Sequence, residues 1–124
     1  VKGRKPDSIA EAANPVLEVP RAPAWLSTNA RAEWRRIMPE LVERRILTDA
    51  DLGMVESYCL LIGRVRDLEK LLKTGFDPRL ARLQDKAIIS ARQIAAEIGA
   101  TPVSRARPSM RELDGGGDDN PLDF

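Results

Sequence analysis

Histidine is absent from these 124 residues, and cysteine occurs once, at Cys59. Without histidine the chain lacks the commonest acid–base group and the commonest transition-metal ligand. One cysteine cannot form an intrachain disulfide, which fits a reducing compartment. Aromatics are scarce, the whole set being Trp25, Trp34, Tyr58, Phe76 and Phe124. No apolar run approaches the roughly 20 residues of a membrane span, the longest clear one lying around YCLLIG. Residues 1–15 lack the apolar stretch of a secretory signal, so the expectation is a soluble, cytoplasmic protein without a membrane partner. No glycine loop is built to cradle phosphate, because DGGGDD sets carboxylates where an anion would sit. Charge of one sign is missing too: 20 Lys and Arg face 19 Asp and Glu, leaving a formal +1. Any attraction to phosphate must therefore come from local clusters. Together these absences predict no catalytic residue, no metal site and no cofactor.

What is present is helical periodicity. The length allows one domain with tails. Residues 1–24 hold Pro6, Pro15, Pro20 and Pro23 with no sustained period, and read as a basic, proline-rich, extended or disordered arm. Ser27 is a good N-cap for a first helix with Ala30, Trp34, Ile37 and Leu41 on one face. Pro39 inside that pattern predicts a kink or a break. Trp34 is read as core, and Trp25 as a staple against the first turns. LTDADL opens a second helix, with Thr48 and Asp51 as a capping box, and capping explains Asp49 and Asp51 more simply than a magnesium site. Leu52, Val55, Tyr58/Cys59, Ile62, Val65, Leu68 and Leu72 follow at helical spacing until Gly75. Gly53 and Gly63 inside it point to close helix contact or a bend. Cys59 on the apolar face is read as a small core residue.

A third helix is expected from about Arg79 to Ile98, with Leu80, Leu83, Ala87, Ala91, Ile94 and Ile98 on one stripe and Gly99 as its stop. The joint before it is short, so helices two and three should form an antiparallel hairpin. The class is all-α: a helical hairpin preceded by a shorter helix, spanning residues 25–100, with tails on both sides. A thin, unstapled core of this size gains from association with other copies.

The cations fall into three groups. Lys2, Arg4 and Lys5 form a basic arm suited to salt-dependent phosphate contacts. Arg79, Arg82 and Lys86 recur at helical spacing beside the apolar stripe of helix three, as a solvated face or a phosphate-binding one. Arg105, Arg107 and Arg111 lie in a stretch, Thr101–Arg111, that holds no acid, whereas Glu112–Phe124 holds five acids and no base. The tail 101–124 is thus arginine-bearing and then acidic.

Read in order, GRKP, PAWLSTNARAEWRRIMPELVERRILTDADLGMVESYC and EIGATPVSRAR resemble the small terminase subunit family of tailed bacteriophages. The elements that carry the resemblance are Pro-Ala-Trp-Leu-Ser, a Trp on the first helix, Leu-Thr-x-x-Asp, Tyr-Cys and Gly-x-Thr-Pro-x-Ser-Arg-x-Arg. They cover roughly residues 3–107. One departure is the compact joint KTGFDPRLARL, where many relatives are longer.

The resemblance implies a non-enzymatic, ring-forming homo-oligomer that recognises double-stranded viral DNA. It also implies a handover of that DNA to the large terminase subunit, whose ATPase and nuclease such proteins regulate. On this reading the hairpin of residues 48–98 associates side by side with its copies, and closure repeats each cation around the ring. Lys2, Arg4, Lys5, Arg79, Arg82, Lys86, Arg105, Arg107 and Arg111 are the expected DNA contacts, with backbone and shape outweighing base readout. Asp118, Asp119, Leu122, Asp123 and Phe124 are the expected contacts to the large subunit. A helical scaffold without DNA contact and a dimeric DNA-binding regulator are the competing readings. RRILTDAD places acids at a helix start, which opposes a helix-turn-helix approach to phosphate.

Overall fold

The computed structural model describes residues 14–101, and among them every regular element is helical. Helix α1 spans Thr28–Glu43, a single 3-10 turn spans Asp49–Asp51, α2 spans Leu52–Thr74 and α3 spans Pro78–Ile98. Residues 14–24 run without helix alongside them. This segment is tied down where the Val16 N–H donates to the Leu47 carbonyl at 2.7 Å and the Trp34 indole donates to the Pro20 carbonyl at 2.9 Å.

The helix ends follow from the residues at them. The Ser27 hydroxyl accepts from the Ala30 N–H at 3.2 Å, which satisfies one of the free donors of the first turn of α1. The Asp51 carboxylate reaches back to accept from the Thr48 N–H at 2.9 Å and from its hydroxyl at 3.1 Å. Asp77 caps α3 by accepting from the Arg79 N–H at 2.8 Å, ahead of Pro78 in the first turn, where its missing donor costs nothing. Gly99 closes α3 at φ 82°, a left-handed geometry that favours glycine. The Arg44 guanidinium then donates to the Gly99 carbonyl at 2.6 Å, bringing a cation to the negative end of α3 and joining it to the end of α1.

Helix α2 is the middle element. Its first half packs against α1 and against the C-terminal half of α3 around Trp34, Met38, Leu41, Val55, Cys59, Ala91 and Ile98. The α2–α3 hairpin is antiparallel: Gln84 donates to the Val65 carbonyl and to Glu69, and Ser90 faces Leu61 and Arg64. α1 approaches α2 closely at Gly63. A Cβ there would lie 2.9 Å from the Ala30 backbone nitrogen and 2.9 Å from the Ser27 hydroxyl oxygen. Gly63 is the close contact expected of a mid-helix glycine, whereas Gly53 has nothing within 4 Å and makes none.

Two other expectations meet a different outcome. Of the kink or break expected at Pro39, the break does not occur: α1 runs through Pro39 to Glu43. Pro39 and Arg35, whose carbonyl loses its donor, both lie on the exposed face, where water can replace the missing hydrogen bond. Trp25 is no staple: it stays 59% exposed, and the neighbouring Leu26 takes the buried place at 1%.

The hairpin extends past α1. The Asn29 side-chain amide donates to Asp67 at 2.7 Å, marking where the start of α1 meets α2. α2 then continues for roughly 10 Å at helical rise. No residue from Arg64 to Lys86 is buried, although this stretch holds Leu68, Leu71, Leu72, Phe76, Leu80 and Leu83. Leu71, Phe76 and Leu83 are 52%, 75% and 54% exposed.

Candidate nucleic-acid interface

Of the cations expected to meet DNA, the described residues include Arg79, Arg82 and Lys86. All three are exposed on α3, and Arg79 and Arg82 lie in its first turns, just after the turn of the hairpin. Arg79 sits 3.8 Å from the Asp77 carboxylate that caps its own helix, a loose surface pair. Lys86 lies with Arg64 on the rim of a cleft floored by Leu61, Leu68, Leu71 and Leu83. Asp67 and Ser90 share this rim, so the stripe is mixed in charge. Lys2, Arg4, Lys5, Arg105, Arg107 and Arg111 fall outside the described residues, as do Asp118, Asp119, Leu122, Asp123 and Phe124.

The strongest polar cluster lies elsewhere, around Glu33. This carboxylate is 1% exposed, yet four donors converge on it. Arg36 contributes Nε at 2.9 Å and Nη2 at 2.6 Å, the Tyr58 hydroxyl donates at 2.7 Å, and Arg66 Nη2 donates at 3.1 Å. Burial alone would push the carboxyl up. The hydrogen bonds from Arg36 and Tyr58 and the charges of Arg36 and Arg66 outweigh it and hold Glu33 below its ordinary value. Tyr58 is pushed up to about 12 by burial first, then by the hydrogen bond to Glu33 and the charge on it. Cys59 is likewise pushed up to about 12, chiefly by burial, which leaves a neutral and unreactive thiol.

This cluster fastens α1 to α2 and aims two partly exposed guanidiniums. Nothing in it offers a nucleophile with a base, and no metal-binding group of three or more Asp, Glu or Cys occurs among the described residues. The sequence reading missed Glu33. Its spacing held the signal, because position 33 lies three residues after Ala30 and four before Ile37, on the face the core uses.

α1 presents a second group of cations that the sequence reading left aside. Arg21, Arg31 and Arg35 line one groove between α1 and the segment before it, and no acid among the described residues lines that groove.

The arrangement defines an all-helical protein with cationic surfaces and a hairpin whose tip lacks a core of its own. The family model for the small subunit of phage terminase matches residues 30–114, from the first turn of α1 through all three helices and beyond. The chain therefore belongs to the phage terminase small subunit family. No curated protein and no solved structure matches it. No described helix is long and apolar enough to cross a membrane.

Proposed function

We propose that this small terminase subunit is non-enzymatic, assembles into a closed ring, binds double-stranded viral DNA and passes it to the large subunit in the host cytoplasm. The observation that carries the assembly is the uncovered hairpin tip. From Arg64 to Lys86 no residue is buried, while leucines recur along both helices and Phe76 stands 75% exposed at the turn. Apolar surface of this kind on a soluble protomer marks an interaction site. A second copy of the same hairpin supplies matching leucines, and head-to-tail repetition of one such contact closes a ring when the rotation permits.

Ring closure bears on the DNA contact. Arg79, Arg82 and Lys86, with Lys2, Arg4, Lys5, Arg105, Arg107 and Arg111, give each protomer a few weak phosphate contacts. A ring multiplies them into a salt-sensitive belt. The acidic segment with Asp118, Asp119, Leu122, Asp123 and Phe124 is assigned to the large subunit, because its charge repels DNA. Replacing Arg105 and Arg107 with Ala tests the DNA assignment directly. The variant should bind a duplex more weakly, with a shallower dependence of affinity on salt. An unaltered salt slope removes both residues from the contact surface.

A further inference from the structure

The groove beside α1 holds a charge arrangement that the fold does not require. Arg21 comes from the segment before the helix, and Arg31 and Arg35 from the helix itself, one turn apart. Like charges four residues apart on a helix repel one another. Three other described cations sit against acids, Arg36 and Arg66 on Glu33 and Arg79 on Asp77. Here three arginines share a cleft of about 600 Å³ that no carboxylate of the described residues lines. Arg21 and Arg35 are exposed and have no hydrogen-bond or ion-pair partner among the described residues. Glu33, the acid nearest to them on α1, is turned into the core and committed to Arg36, Arg66 and Tyr58.

The groove is also built rather than incidental. Its far wall is the stretch Val19–Ala24, held across α1 by the hydrogen bond from the Trp34 indole to the Pro20 carbonyl. The Arg31 guanidinium donates to the carbonyls of Ala24 and Leu26, so it is fixed in place by neutral acceptors and keeps its full charge. Fixing a guanidinium before binding lowers the entropy lost when an anion arrives. Val19, Pro20 and the Trp34 ring supply an apolar floor.

We infer that the Arg21–Arg31–Arg35 groove is a binding site for the phosphate backbone of duplex DNA, separate from the α3 stripe and from the clusters of Lys2, Arg4 and Lys5 and of Arg105, Arg107 and Arg111. A row of phosphates fits a groove with three arginines and no acid among the described residues, and a guanidinium can give a phosphate two parallel hydrogen bonds. Guanidiniums over an apolar floor suit backbone contact, which positions a duplex without reading its sequence. This inference rests on the DNA-binding reading proposed above, which it extends with a new surface.

The test uses the full chain and a fluorescently labelled duplex of about 30 base pairs, titrated by anisotropy between 50 and 200 mM salt. Arg21→Gln with Arg35→Gln removes two charges whose side chains are exposed and unpartnered, so the helical circular dichroism and Tm should match the parent. Each phosphate contact contributes about 0.9 to the salt slope. Losing two from even one engaged protomer should make the fall in affinity across that salt range at least about twelvefold smaller than in the parent. The matched variant Arg79→Gln with Arg82→Gln, on α3, runs beside it. A parent slope retained in the Arg21/Arg35 variant while the parent binds DNA overturns the groove and leaves the DNA-binding reading standing. A parent chain that shows no duplex binding at 50 mM salt overturns both.

Discussion

Replacing Glu33 with Gln isolates the cluster that joins α1 to α2. The substitution keeps the shape and one acceptor oxygen but turns an amide donor towards guanidinium donors. Four hydrogen bonds end on the carboxylate, and a bond to a charged group is worth about 1.5–3 kcal/mol when buried. Arg36 and Arg66 are 64% and 44% exposed, so water takes over much of what they lose, and their pairs count at the surface value of about 1 kcal/mol or less. The Tyr58 bond is buried and counts in full. Relief from holding a charge out of water offsets part of the sum, which leaves a net loss of about 2 kcal/mol. For a folded unit of this size that lowers Tm by roughly 10 °C. Urea unfolding followed by circular dichroism at one fixed protein concentration reads the difference at pH 7.

The same variant carries a pH signature. The folded carboxyl lies below its ordinary value of 4.5, so its stabilising effect is complete above that value and is lost as pH falls through the folded one. Gln does not titrate. The gap between parent and variant should therefore be full at pH 7 and narrow below about pH 4. A gap under about 0.5 kcal/mol at pH 7, or one unchanged at pH 3, refutes the reasoning.

Other consequences are sharper at single sites. Gly63→Ala should destabilise by about 1–3 kcal/mol, because its Cβ meets the Ala30 backbone at 2.9 Å, while Gly53→Ala, in open space, should stabilise by up to about 1 kcal/mol; paired thermal melts compare them. At high pH the sign reverses from that of Glu33. Tyr58 and Cys59 are both raised to about 12, so the stability they lend is present below their ordinary values and drains away as pH climbs towards 12. Tyr58→Phe should flatten that alkaline decline, read by unfolding at pH 8, 10 and 11.5. Deleting residues 112–124 should weaken stimulation of the large subunit's ATPase in a reconstituted assay, and unchanged stimulation removes the acidic segment from that contact.

The helices were legible because apolar spacing and end residues agree. Ser27, Asp51 and Gly99 mark boundaries that the structure keeps within a residue or two, and Ala30, Trp34, Ile37 and Leu41 are all buried. What stayed hidden depends on neighbours that a linear reading does not supply. Pro39 leaves α1 unbroken, on a face that meets water. Gly53 and Gly63 look alike in sequence, and only the approach of Ala30 separates them. A glutamate among arginines reads as surface charge until Tyr58 and Arg66 arrive from another helix. Likewise nothing in the linear sequence joins Arg21 to Arg35 until the Trp34–Pro20 hydrogen bond folds the preceding segment into a wall. The α3 cations were found from spacing, yet spacing does not say that Asp77 and Asp67 lie beside them.

The central claim is assembly through an uncovered hairpin tip, and the solution mass tests it most directly. Light scattering on a sizing column, run at two salt concentrations, should give one species well beyond four times the 13.7 kDa chain mass, unchanged on dilution. Leu83→Asp, on the exposed tip, should collapse that species to smaller ones while leaving the helical signal intact. A parent chain that elutes as a monomer or dimer at both salt concentrations contradicts the ring.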